Sequence, residues 1–107
     1  MNINIDINKN ELHLDYELNE PFDENVLIKH EQLLSKLKPN EAIYITTTGY
    51  VPLEVTAYLC EVTKFCEKMI WTIVYDRDTY DFALFIIKDQ YDYNIELKFV
   101  ETPRKEV

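Results

Sequence analysis

Ala42-Ile43-Tyr44-Ile45-Thr46-Thr47-Thr48-Gly49-Tyr50-Val51-Pro52 decides how this chain is read. An apolar run from Ala42 to Ile45 gives way to three hydroxyls and then to Gly49, the one glycine in the sequence. Pro52 follows, and a helical period begins. Glycine tolerates left-handed backbone and the close approach of another group. Proline suits the first turn of a helix, where its missing N–H costs nothing. A strand that ends in hydroxyls, then a glycine, then a helix start offers unpaired backbone N–H groups to an anion. A small-molecule site is expected here, held by Thr46, Thr47, Thr48, Gly49 and Tyr50. The other reading is a capped strand-to-helix turn without a ligand.

Outward from this junction the pattern extends in both directions. Downstream, Val55, Tyr58, Leu59, Val62, Phe65 and Cys66 form one apolar side of a helix from Pro52 to about Glu67. Upstream, Pro21 and Asp23 open a helix with the stripe Val26, Leu27, His30, Leu33, Leu34 and Leu37, and Pro39-Asn40 stops it. Before that helix, Ile3, Ile5 and Ile7 alternate with polar residues. After the turn Asn8-Lys9-Asn10, the residues Leu12, Leu14, Tyr16 and Leu18 alternate again, so the two runs read as a hairpin.

Beyond the second helix, Met69 to Tyr75 and Phe82 to Ile87 are continuous apolar runs and read as strands joined by Asp76-Arg77-Asp78-Thr79-Tyr80-Asp81. Tyr93, Ile95, Leu97 and Phe99 alternate as a last, half-exposed strand. The expected fold is a single α/β domain over 1–107, with a mixed sheet of about six strands and two helices in the order β-β-α-β-α-β-β-β. Its helix-separated strands form a parallel set flanked by antiparallel hairpins. The last few residues are expected to be disordered. The central strands are apolar on both faces, as when both are covered. Two helices cannot cover both faces of such a sheet, so a homodimer or higher homo-oligomer is expected.

Composition narrows the function. Apolar residues make up 47% of the 107 residues, enough for a core. The net charge is −9, with nine acidic against four basic residues over 1–53 and eleven against seven over 54–107. There is no basic run, so duplex DNA, long RNA and anionic membranes are poor partners. A small anion remains compatible, because local donors govern a site. No secretory signal pattern and no apolar stretch of membrane-spanning length occurs. Cys60 and Cys66 lie six apart on a helix, on different faces, and read as packing residues in a reducing compartment. Cytoplasmic localisation is expected.

The segment from Asp76 to Asp81 is the second feature of chemical interest. It starts at the carboxyl end of the strand after the second helix, where open α/β sheets bind ligands. If that strand neighbours Ala42–Thr46, then Asp76 and Arg77 share a rim with Gly49, Tyr50 and Glu54. Such a rim suits a phosphodiester, with backbone N–H groups and Arg77 on the phosphate and Asp76 orienting a hydroxyl. The alternative is a polar hairpin turn held by Asx-type hydrogen bonds. Asp76, Asp78 and Asp81 could hold Mg²⁺ or Mn²⁺ through water, or be simply solvated. No spacing resembles a zinc site. His13 faces the wet side of its strand, and His30 lies on an apolar stripe. Ser35 is the only serine, and nothing supports a nucleophilic triad. Tyr75, Tyr80, Tyr91 and Tyr93 could stack on bases or pack in the sheet.

Taken together, these stretches resemble the Csx-three ring nucleases, small CRISPR-associated proteins of type III antiviral defence. Leu14-Asp15-Tyr16-Glu17-Leu18-Asn19-Glu20-Pro21 is similar to that family's second strand and helix-opening proline. Ile43 to Pro52 resembles its strand followed by Gly-Arg-x-Pro, here Gly49-Tyr50-Val51-Pro52, and Val74-Tyr75-Asp76 resembles its Val-Tyr-Asp. The similarity spans roughly residues 10 to 90 of the sequence. The resemblance implies an α/β dimer that recognises cyclic tetra-adenylate, a cyclic oligoadenylate second messenger, and linearises it by attack of a ribose 2′-hydroxyl. By that resemblance Asp76, with Arg77 or Lys64, would assist cleavage, while Thr46, Thr47, Thr48, Gly49, Tyr50, Glu54 and Tyr80 would line the ligand. The pattern also departs from the family. Its arginine is Tyr50 here, its tryptophan is Glu54, its helix histidine is replaced near Lys64, and Asp-Pro-Arg has become Asp76-Arg77-Asp78. Either cleavage uses other residues, or the chain binds without cutting. The alternative function is a non-catalytic, acidic, oligomeric module that senses the nucleotide or binds a protein partner.

Overall fold

Trp71, Leu12, Leu14, Ile45, Leu59, Met69 and Ile73 have less than 2% of their surface exposed and define where the core sits. The computed structural model describes residues 1–17, 22–88 and 93–101. Leu18, Pro21, Tyr91 and the final residues, all named in the sequence reading, lie outside the described residues. The elements in chain order are β1 (Asn2–Asp6), β2 (Glu11–Asp15), α1 (Glu24–Leu34), β3 (Ala42–Thr48) and α2 (Leu53–Val62). A 3₁₀ turn (Thr63–Phe65), β4 (Lys68–Val74), α3 (Arg77–Ile87) and β5 (Ile95–Val100) complete them.

These strands make one five-stranded sheet in the order β1-β2-β3-β4-β5. β1 and β2 form the expected antiparallel hairpin, with Asn2 opposite Asp15 and Asp6 opposite Glu11. β2, β3, β4 and β5 are parallel, with Tyr44 opposite both Glu11 and Ile70. The sheet is therefore mixed, in a single α/β domain.

Two features correct the sequence reading. Phe82 to Ile87 is not a strand but the second half of α3, so the domain has five strands and three helices. A short apolar run fits a buried strand and a buried helix equally well by period. Asp76 breaks the tie: its carboxylate Oδ1 accepts from the Thr79 backbone N–H at 2.9 Å and caps the helix. Because α3 intervenes, β5 returns parallel to β4, and the C-terminal antiparallel hairpin is replaced by a third crossover.

The second correction concerns the faces. The strand order never reverses from β2 to β5, so right-handed crossovers stack α1, α2 and α3 on one face. Burial follows. Leu12, Leu14, Ile43, Ile45, Thr47, Met69, Trp71 and Ile73 point under the helices, while His13, Asp15, Tyr44, Thr46 and Thr72 alternate onto an open face. Among the described residues the central strands are covered on one side only. Phe65, read as part of the apolar side of α2, is 78% exposed.

Candidate functional site

At the carboxyl ends of the parallel strands, Gly49 closes β3 with φ +89°. A Cβ at this position would stand 2.4 Å from the Tyr16 carbonyl oxygen. The single glycine is thus required by the fold: it lets β3 end against β2, where the Tyr16 N–H donates to the Thr48 carbonyl at 2.8 Å. The Gly49 N–H donates to the Val74 carbonyl at 3.3 Å, so this donor is turned toward β4. The three threonines part company. Thr47 is buried, and its hydroxyl accepts from the indole Nε1–H of Trp71 at 2.9 Å. Thr46 and Thr48 lie half-exposed on the open face. Alternation along a strand that runs to Thr48, rather than ending at Thr46, separates them.

The two rim turns do meet, as the neighbouring of β3 and β4 requires. The Val51 N–H donates to the Thr79 hydroxyl at 3.1 Å, and that hydroxyl donates to Asp76 Oδ1, also at 3.1 Å. Asp76 therefore acts through Thr79 to hold the turn before α2 against the start of α3. The Arg77 guanidinium pairs with Asp81 at 3.1 Å and lies over the rings of Phe99 and Tyr80, 5.3 and 5.7 Å from their centroids. Tyr80 is half-buried and packs on Phe99 at 5.3 Å between ring centroids, facing β5 rather than Gly49. Glu54 is exposed in the first turn of α2.

Lys64 is not brought to this rim. It follows α2, at the end of the sheet where β4 begins, and a full strand of about 20 Å separates it from Asp76. There it pairs with Glu61 at 3.0 Å and sits 4.8 Å from the centre of the Tyr93 ring. Among the described residues no group of three His, Cys, Asp or Glu side chains converges as a metal site. Both cysteines are free thiols, and burial pushes the Cys60 thiol up to about 12, which keeps it protonated and unreactive. No helix among the described residues is long and apolar enough to cross a membrane.

The rim also holds backbone and exposure features that the sequence does not show. Tyr75 has φ +76°, unusual for a residue with a bulky side chain, and leaves half its surface exposed. Tyr50 is similarly exposed on the neighbouring turn, and Leu53 beside it is 46% exposed. α2 begins at Pro52 without a side-chain cap. A sequence signal that could have found them was Asp76 as a helix N-cap, which leaves the preceding Tyr75 outside the helix.

Nearby, Tyr16 and His30 form a buried pair. His30 Nδ1 lies 2.6 Å from the Val26 carbonyl, which can only accept, so Nδ1 carries the proton. Nε2 then accepts from the Tyr16 hydroxyl at 2.7 Å. Burial, the largest influence, lowers the His30 pKa; the hydrogen bond to Val26 opposes this and Lys29 adds to it. The imidazole is a neutral structural link between β2 and α1.

The strand order gives the rim no reversal point, the place where open α/β sheets form their ligand crevice. What remains is an open ledge with two exposed tyrosines, an uncapped helix start and a strongly acidic border. No family model, no curated protein and no solved structure matches the chain.

Proposed function

We propose that this chain recognises a cyclic oligoadenylate at the rim of Gly49, Tyr50 and Tyr75 and holds the ring without cutting it. The observation that carries the reading is the pair of exposed tyrosines at the ends of adjacent strands, one of them at positive φ. Bases stack on such rings at roughly 1–3 kcal/mol each, whatever the base, because every base has a π-face. The start of α2 supplies backbone N–H groups for phosphate oxygens. Cleavage is poorly supported: Asp76 is engaged with Thr79, Arg77 with Asp81, and Lys64 stands at the far end of β4. A general base and a phosphate donor within reach of one phosphodiester are what such a reaction needs.

The test is incubation of the protein with cyclic tetra-adenylate, with and without Mg²⁺ or Mn²⁺, followed by chromatography. An intact ring that co-elutes with the protein, and that Tyr50→Ala and Tyr75→Ala each release, is the expected result. Linear products would overturn the non-cutting part of the reading, and absence of binding would overturn the ligand.

A second reading has its own observation. Glu54 in the first turn of α2 and Asp76, Asp78 and Asp81 at the start of α3 make this rim acidic, and its Arg77 is already paired with Asp81. Such a surface suits a protein partner with a basic face. Capture of that partner by the wild-type chain, lost on reversing Glu54 and Asp78 to lysine, is its test.

A further inference from the structure

Among the described residues nothing covers the face of the sheet opposite the helices, and its side chains form ordered rows. Register places Asn2, Asp15, Thr48, Val74 and Val100 in one row across the strands. Asn4, His13, Thr46, Thr72 and Lys98 form the next, followed by Asp6, Glu11, Tyr44, Ile70 and Glu96. The middle of this face, from Tyr44 and Thr46 to Ile70, Thr72 and Val74, is uncharged. The charges lie at its two sides and differ in sign. The β1–β2 side carries Asp6, Glu11 and Asp15, with His13 among them. On the β4–β5 side Lys68 and Lys98 flank Glu96 at 3.2 and 3.9 Å, which leaves that side net positive. A depression of about 190 Å³, lined in part by Asn2, Asn4, His13, Asp15, Thr46 and Thr48, opens on the acidic side.

We propose that a second copy of this chain covers the face, related by a two-fold axis that runs along β3 between the two sheets. This axis lays the β1–β2 side of one copy over the β4–β5 side of the other, acid over base, twice. The partner's Lys98 then descends over Asn4, between the rows of Asp6 and Asp15 and into the depression. A two-fold axis across the strands would instead set acid on acid, and is disfavoured for that reason. Aligned sheets pack about 10 Å apart, which a lysine side chain spans. The face measures about 24 Å across five strands and about 20 Å along them, a footprint of roughly 500 Å² before side-chain relief. That is below the about 800 Å² per partner of a standard interface and suits a weaker, concentration-dependent dimer. The contact is isologous and closes on itself, so it gives a dimer and not a fibre. This inference stands apart from the nucleotide, since it uses neither Tyr50 nor Tyr75.

Sedimentation of the purified chain at concentrations up to about 100 µM tests it, against the monomer mass of 12.8 kDa. The expected result is a dimer whose dissociation constant rises at least about tenfold in Thr72→Arg and in Lys98→Glu. Combining Lys98→Glu with Asp15→Lys should return it to within about threefold of wild type. Far-UV circular dichroism establishes that each variant keeps its fold. Phe65→Glu, on the helix side beside the apolar groove between α1 and α2, should leave the dimer intact. A monomer at the highest concentration overturns the proposal. So does a dimer that survives Thr72→Arg and Lys98→Glu yet dissociates in Phe65→Glu, or a double charge reversal that recovers nothing. Binding of cyclic tetra-adenylate, measured on the same samples, keeps failure of this interface distinct from failure of the ligand.

Discussion

Gly49 and Tyr75 occupy the same kind of backbone, φ +89° and +76°, on neighbouring turns, but for opposite reasons. At Gly49 a side chain is excluded by the Tyr16 carbonyl, 2.4 Å from where a Cβ would lie. Gly49→Ala should cost about 1–2 kcal/mol for the left-handed backbone and more for the displaced β2 end. Urea unfolding would read this as a lower midpoint with an unchanged slope. At Tyr75 the side chain is tolerated in open space, and the fold gains nothing visible from it. Tyr75→Gly should therefore stabilise the chain by up to about 1 kcal/mol while abolishing ring binding. A loss of both stability and binding would make Tyr75 a packing residue. His30 supplies a third prediction at this scale. Its folded pKa lies below the unfolded value, so below about pH 6.5 the unfolded chain takes up a proton that the folded chain refuses. Stability should be flat from about pH 7.5 to 6.5 and fall as pH drops further, until the folded pKa is reached. His30→Gln, which keeps a neutral polar side chain, should remove that slope in thermal melts between about pH 6.5 and 5.5, before carboxylates dominate.

α3 shows what an element needs before sequence can reveal it. Its apolar run Phe82–Ile87 is short and uninterrupted, and only Asp76, six residues earlier, states that a helix has begun. Asp76, expected from the sequence to assist cleavage, caps α3 here, and a carboxylate at a strand end looks the same in sequence in either role. Asp76→Ala should cost about 1–2 kcal/mol, since it leaves the Thr79 N–H without its acceptor and loosens the turn that Val51 shares. Asp76→Asn keeps an acceptor and should lose only a few tenths of that in denaturant melts. Equal losses in the two variants would show that charge, not capping, sets the role. The β1–β2 hairpin, the parallel β2-β3-β4 set and the strand–glycine–helix junction were legible because each carries its own period and stop signals. Burial of Thr47, half-exposure of Thr46 and Thr48, and removal of Lys64 to the far rim were not. They depend on where β3 ends and on which end of the sheet α2 reaches, and neither is written in local spacing. The open face was hidden for a related reason: apolar Ile70 and Val74 on β4 read as buried on both sides, although they lie half-exposed.

At the scale of the molecule, net charge and site disagree in a way that can be measured. Proteins that hold nucleic acid by cations release counterions and lose affinity steeply as salt rises. Here the chain carries −9, and the rim presents Glu54, Asp76, Asp78 and Asp81, with its Arg77 already paired to Asp81. On the proposed reading, a ring of phosphates approaching this rim would be repelled by the border and retained by stacking on Tyr50 and Tyr75 and by the backbone at the start of α2. Repulsion between exposed charges acts over a Debye length, about 10 Å at 0.1 M salt, and weakens as that length shrinks. Stacking is far less sensitive. Raising NaCl from about 50 to 300 mM should therefore leave the affinity for cyclic tetra-adenylate unchanged or tighten it by up to about threefold. Glu54→Gln, which removes one repelling charge beside the helix start, should tighten binding at low salt and make no difference at high salt. Isothermal titration across that range measures both. A fall of tenfold or more with salt would mean that cations hold the phosphates, and the tyrosine ledge would then be the wrong site.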